Sequence, residues 1–164
     1  MFEKHDLVKD MSDFPKQQKA IQYEKFVFSD SAAARILDID AFKVLHVIKG
    51  INETHNVCTI DHKVYQVPNS EFYRNFVFSR QQRSKQLSAQ ATAYSNVWIV
   101  TNPKNRKRYP VRATADSIEC KCRDYQKQQE ILGKGCCKHG YRILNYLGYQ
   151  DLKAYMNRNS AIAA

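Results

Sequence analysis

Four of the five cysteines in this 164-residue chain fall within eighteen positions, and a histidine follows them: Cys120-Lys-Cys122, fourteen residues, then Cys137-Lys-His139. Cys120 and Cys122 are too close for an easy mutual disulfide. In a reducing compartment, clustered thiols beside a histidine point to metal. Zinc takes four such ligands at tetrahedral corners, with Zn–S near ~2.3 Å and Zn–N near ~2.0–2.1 Å. With all four positions filled by protein, no place is left for a water nucleophile, so the expected Zn2+ is structural. Cys136 adjoins Cys137, and the residues alone leave Cys-x2-His as a second arrangement. Cys58 stands apart and reads as a small buried hydrophobe.

Two elements must bring these groups together. Residues i and i+2 of an extended strand share a face, so a strand over Ser117-Ile-Glu-Cys120 lets Cys120 and Cys122 turn two sulfurs to one ion. Cys137 and His139 open an apolar-periodic segment (Tyr141, Ile143, Leu144, Tyr146, Leu147) that Gly148 ends, as a glycine past a helix C-terminus does. Upstream, Val97–Thr101 and Tyr109–Arg112 flank the turn Asn102-Pro-Lys-Asn105, a hairpin pattern. From Val97 to Gly148, with Asp124-Tyr125 after the first cysteine pair, the pattern resembles the SWIM zinc finger. The resemblance implies Cys120, Cys122, Cys137 and His139 as ligands, and DNA binding or protein contacts in transposase-like and recombination-associated settings. A finger of about fifty residues has little core, and metal supplies ~10–16 kcal/mol of apparent folding energy in small finger peptides. Three thiolates on a divalent ion leave −1, which Lys121, Arg123, Lys134, Lys138 and Arg142 would offset.

Charge is distributed unevenly. The net charge is +10, yet residues 1–71 hold nine basic and eleven acidic side chains, while residues 72–115 hold nine basic and no acidic ones. An acid-free stretch of that length makes a positive field suited to a polyanion, set against the plainer reading of a solvated face kept for solubility. No apolar run is long enough to cross a bilayer. Met1 to Lys19 mixes charges without an apolar block, so no secretory signal is visible and a soluble, intracellular protein (cytoplasm and nucleoid, or nucleus) is expected.

In the first half, Ser31 to Lys49 reads as two helices broken at Asp38-Ile-Asp40 and stopped by Gly50, with Ser31 and Asp40 as N-caps. Ala34, Leu37, Ile39, Val44 and Val47 are spaced as two short helices cross in a helix-turn-helix. Strands follow at Val57–Ile60 and Val64–Val67, joined by Asp61-His-Lys63 and closed by Pro68. This stretch resembles a small winged helix of the excisionase or MerR type, which implies Lys43, His46 and Lys49 on a recognition helix and Lys63 at the wing. The phrase Tyr23-x-x-Phe26-Val-Phe-Ser29 recurs as Tyr73-x-x-Phe76-Val-Phe-Ser79 without repeating flanks, so two similar apolar segments packing on one core are expected rather than a duplicated domain.

The expected architecture is therefore α+β: a small N-terminal winged-helix-like α/β module followed by a β-hairpin–zinc–helix, SWIM-like module. The divisions are a flexible arm (1–20), the winged-helix-like domain (21–80), a linker or exposed helix (81–96) and the zinc-binding domain with a C-terminal helix (97–164). No Gly-rich phosphate loop, nucleophile elbow or paired-acid motif supports an enzyme, and the five histidines are scattered. The expected function is nucleic-acid binding, on double-stranded DNA, as a transcription or recombination accessory factor. Its phosphate contacts would come from Lys104, Arg106, Lys107, Arg108 and Arg112 of the hairpin and Lys121, Arg123, Lys138 and Arg142 around the metal. Tyr94, Trp98 and Tyr109 are candidates to stack on unpaired bases. The alternatives are a protein-interaction adaptor, using Tyr146, Tyr149 and Tyr155, or RNA binding.

Overall fold

The structure is a computed structural model that describes residues 17–158. Most of the expected N-terminal arm lies outside them, but residues 17–20 already belong to a helix. The chain divides into two compact units, residues 1–76 and 77–164.

In unit 1, helix α1 (17–27) and helix α2 (Asp30–Leu37) precede a three-stranded antiparallel meander of β1 (Val44–Lys49), β2 (Thr54–Thr59) and β3 (Val64–Pro68). Ser29, not Ser31, caps α2: its side chain accepts from the Ala32 N–H at 3.3 Å. Asp38 ends the helix in the left-handed region at φ 52°, a conformation a short polar side chain tolerates.

The winged-helix resemblance needs a helix over residues 41–49, and here the structure corrects it. A single 3-10 turn (Ala41–Lys43) gives way at once to β1, an edge strand paired with β2. Val44, Val47 and Ile48 are β-branched and fit a pleated surface. Pairing with β2 (Val47 opposite Val57, Ile48 opposite Asn56) overrides a spacing that also matched a helix. A bulge at Leu45 shifts the register between Val44 and His46.

Helix α3 (Asn69–Ser84) begins in unit 1, and the unit boundary falls within it after Phe76. The repeated phrase pairs with itself. The Tyr23 and Tyr73 hydroxyls lie 3.3 Å apart, and the Phe26 and Phe76 rings meet edge to face at 5.3 Å. Phe28, Val57, Val67, Phe72 and the alanines of α2 form the buried core of this unit.

Unit 2 is a four-stranded antiparallel meander, β4 (Ser88–Ala91), β5 (Val97–Thr101), β6 (Arg108–Ala113) and β7 (Ile118–Cys120), followed by α4 (Arg123–Leu132), α5 (Lys138–Tyr146) and α6 (Leu152–Asn157). The stretch 81–96 is therefore not a plain linker: it contains the end of α3 and an edge strand of this sheet. Strand alternation puts Trp98, Val100, Val111, Ile118 and Cys120 on one face, where Ile143 and Leu144 of α5 cover them. Burying each large apolar side chain contributes ~1.5–3 kcal/mol. Val97, Ile99, Pro110, Arg112 and Glu119 occupy the opposite face. No helix among the described residues is long and apolar enough to cross a membrane.

Candidate metal centre

Cys120, Cys122, Cys137 and His139 come together as one buried group, with one donor atom from each lying within 4.8 Å of the others. Cys120 ends β7 on its core face, and Cys122 caps the helix that follows, its sulfur accepting from the Tyr125 N–H at 3.4 Å. Cys137 caps α5 in the same manner, accepting from the Gly140 N–H at 3.5 Å, and His139 lies in the first turn of that helix. Two helix N-termini thus direct backbone N–H groups and the positive ends of their dipoles at the sulfurs, which favours thiolate.

The imidazole orientation fits coordination through Nδ1, which lies 3.8 Å from both Cys120 Sγ and Cys137 Sγ. A tetrahedral ion with metal–sulfur bonds of ~2.3 Å and metal–nitrogen bonds of ~2.0–2.1 Å sets S···N edges near ~3.6 Å and S···S edges near ~3.8 Å. Nε2 is buried without a hydrogen-bond partner among the described residues, and the ring packs against Tyr109, centroids 4.3 Å apart.

As bare thiols the three cysteines are in electrostatic conflict. Cys122 is pushed well below the usual thiol range, because Cys120 first and then Cys137 hydrogen-bond its thiolate. Cys120, the donor to Cys122, is pushed up to about 12. Cys137 is raised further by donating to Cys120 and Cys122 and by burial. The set holds one negative charge readily and three only against mutual repulsion, and a cation at its centre removes that conflict. The donors fit a metal ion, and with four protein ligands they close its coordination shell.

Cys136 is not part of the group. Its thiol points toward the Cys137 carbonyl at 3.7 Å, and burial raises its pKa. A Cβ on Gly140 would stand 2.7 Å from the Cys136 sulfur, so glycine lets α5 pass over it.

A polar chain that the sequence reading missed holds the metal loop. Arg80 grips Asp124 with two bonds of 3.1 and 2.7 Å. Asp124 accepts from Gln128 Nε2 at 3.3 Å, and Gln128 Oε1 accepts from the Cys136 N–H at 3.0 Å. Gln128 is fully buried, and Gly135 admits it: a Cβ there would overlap the Gln128 side chain. The i, i+4 spacing of Asp124 and Gln128 was readable, whereas Arg80, forty-four residues away, was not.

His55 was also passed over. It is 2% exposed, with Nδ1 2.8 Å from Asn69 Oδ1, Nε2 3.0 Å from Glu24 Oε2, and its ring stacked on Phe28 at 3.9 Å. Its alternation with Val57 and Thr59 on the buried face of β2 was the available signal.

The candidate nucleic-acid contacts divide between the units. Lys43 sits in the 3-10 turn, His46 and Lys49 on β1 and Lys63 in the β2–β3 turn; all are exposed, and Lys63 pairs with Asp61 at 2.8 Å. With no recognition helix, Lys43, His46 and Lys49 lose the placement that argued for DNA contact.

In unit 2, Lys104, Arg106, Lys107 and Arg108 are exposed on or beside the β5–β6 turn, Arg112 is exposed at the far end of β6 opposite Val97, and Lys121 and Arg123 are exposed near the metal group. Asn102 and Asn105 order that turn by accepting from the Lys104 and Lys107 N–H groups, both at 3.1 Å, and Arg106 is left-handed at φ 56°. Lys138 and Arg142 are half-buried.

Of the candidate stacking residues, Trp98 is buried and Tyr109 packs on His139, which leaves Tyr94 exposed. Tyr155, part of the expected adaptor patch, is buried, and its hydroxyl donates to the Thr114 carbonyl. No family model, curated protein or solved structure matches the chain.

Proposed function

We propose that this chain is a zinc-bearing, non-enzymatic nucleic-acid-binding protein with a SWIM-type finger, acting on double-stranded DNA as an accessory factor in transcription or recombination. One observation carries the reading: a closed Cys3His group sits inside a unit whose residues 77–164 hold sixteen basic and five acidic side chains. Tetrahedral, thiolate-rich donor sets favour zinc among the common divalent ions. The ion would shape the sheet–helix platform, and the exposed cations of the β5–β6 turn would contact phosphates. Arg80–Asp124, with Arg80 buried, is the only ion pair within this unit among the described residues, so none of the exposed cations of the β5–β6 turn is held in an ion pair.

A salt titration of duplex binding tests the reading. The wild type should bind with a steep dependence on salt, and Arg106→Glu with Arg108→Glu should flatten the slope by roughly two, at ~0.9 per lost phosphate contact. Unchanged affinity and slope would remove the turn from the footprint.

A further inference from the structure

We propose that the hollow between the outer sheet face of unit 2 and α4 receives one unpaired nucleotide, so that the protein prefers a duplex bearing single-stranded residues over a blunt one. This rests on the nucleic-acid reading above and adds the chemistry of a single site to it. The hollow measures about 520 Å³, within the ~300–1,000 Å³ of small-molecule sites. Its lining is chemically mixed in a way that matches a nucleotide part by part.

Arg112 of β6 and Lys121 just beyond β7 supply two cations for a phosphate. Neither is in an ion pair among the described residues. Val97 and Pro110 supply an apolar floor, and Tyr125 of α4 an aromatic ring for a base. Glu119, opposite Arg112 in the strand register, and Gln129 offer acceptors for the amino and imino groups of a base edge.

The carboxylate is the discriminating group. A free phosphate or an acidic peptide gains from Arg112 and Lys121 but is repelled by Glu119. A nucleotide brings an anion for the cations and hydrogen-bond donors for the carboxylate. A base inside a duplex is stacked on both faces and paired along its edge, so only an unpaired one can enter a recess walled by a sheet and a helix.

The site also borders the metal group, since Cys120 lines it and Tyr125 donates its N–H to Cys122. Cys120 is the one residue of the metal group that also lines the hollow.

The test uses the metal-loaded 164-residue chain and two probes, a short blunt duplex and the same duplex with a single-stranded tail. The first tail base is a fluorescent adenine analogue whose emission falls on stacking. The tail should tighten binding roughly tenfold, the value of one base–aromatic stack, and quench the analogue. Tyr125→Leu should bring the affinity ratio of the two probes close to one. Because Tyr125 also packs against the core, Gln129→Trp, which fills the hollow from the half-exposed side of α4, provides a second arm with metal content checked in both.

Equal affinity for the two probes, or a tail preference that survives both substitutions, overturns the proposal while leaving duplex binding intact. Failure of both probes to bind at low salt overturns the nucleic-acid reading as well.

Discussion

Each unit places one histidine on the buried side of a small antiparallel sheet, His55 in unit 1 and His139 in unit 2, at 2% and 3% exposure. Their surroundings are opposite in kind. His55 has an oxygen partner on each nitrogen and an aromatic ring stacked on its face, so every polar atom is answered within the protein. His139 turns Nδ1 to two sulfurs and leaves Nε2 without a partner among the described residues. A buried imidazole that is fully hydrogen-bonded is a packing element. One whose neighbours are thiols that cap helix N-termini is placed to hold a metal ion. Unit 1 carries ten basic and eleven acidic residues and unit 2 sixteen and five, so the positive charge is concentrated in the unit with the candidate metal group.

The largest test of this contrast is loss of the ion. Chelation, or Cys137→Ser, should abolish amide-exchange protection in the unit 2 sheet and α5 while protection in unit 1 persists, because bound metal contributes on the order of ~10 kcal/mol to small zinc folds. Cys136→Ser should retain the ion by mass spectrometry. Loss of metal from that variant alone would move the ligand position, and chelator-resistant protection in unit 2 would break the contrast.

A smaller effect is expected in unit 1. His55→Leu removes the partner of Glu24 and Asn69 and should cost ~2–4 kcal/mol in urea unfolding of that unit, with metal content unchanged. A neutral result would mean that the imidazole does not hold the sheet to its helices.

The smallest concerns the approach of α5 to Cys136. Gly140→Ala adds a methyl 2.7 Å from a sulfur and 3.3 Å from Ile118 Cγ2. It should cost ~1–3 kcal/mol, partly offset by ~1 kcal/mol of helix propensity. Cys136→Ala in the same chain should recover most of the loss. Full stability of the single variant would show that the helix shifts freely.

Where the sequence reading succeeded, the information was local. Cys-x-Cys and Cys-x-His are spacings of a few residues that bring two donors together in either case, although the strand stops at Cys120 and Cys122 caps the next helix instead of sharing a strand face. The hairpin over 97–112 and the strands over 57–67 were legible for the same reason, through alternation bounded by turn residues. Residues 41–49 misled because Val44 and Val47 satisfy a helical spacing and a strand preference equally, and the deciding partner, β2, follows a separate turn. Residues 81–96 read as a linker or an exposed helix; the helix holds only to Ser84, and β4, short and polar, becomes a strand only by pairing with β5.

From the order of residues alone came the donor set, the elements flanking it and the uneven charge, since covalent spacing and side-chain chemistry suffice for these. The tertiary structure decided that Cys137 rather than Cys136 faces the other donors, that Arg80 reaches Asp124, that His55 is enclosed, and that a mixed-charge hollow borders the metal group. Those outcomes depend on which distant segments pack together, and that is settled by the burial and pairing of the whole chain.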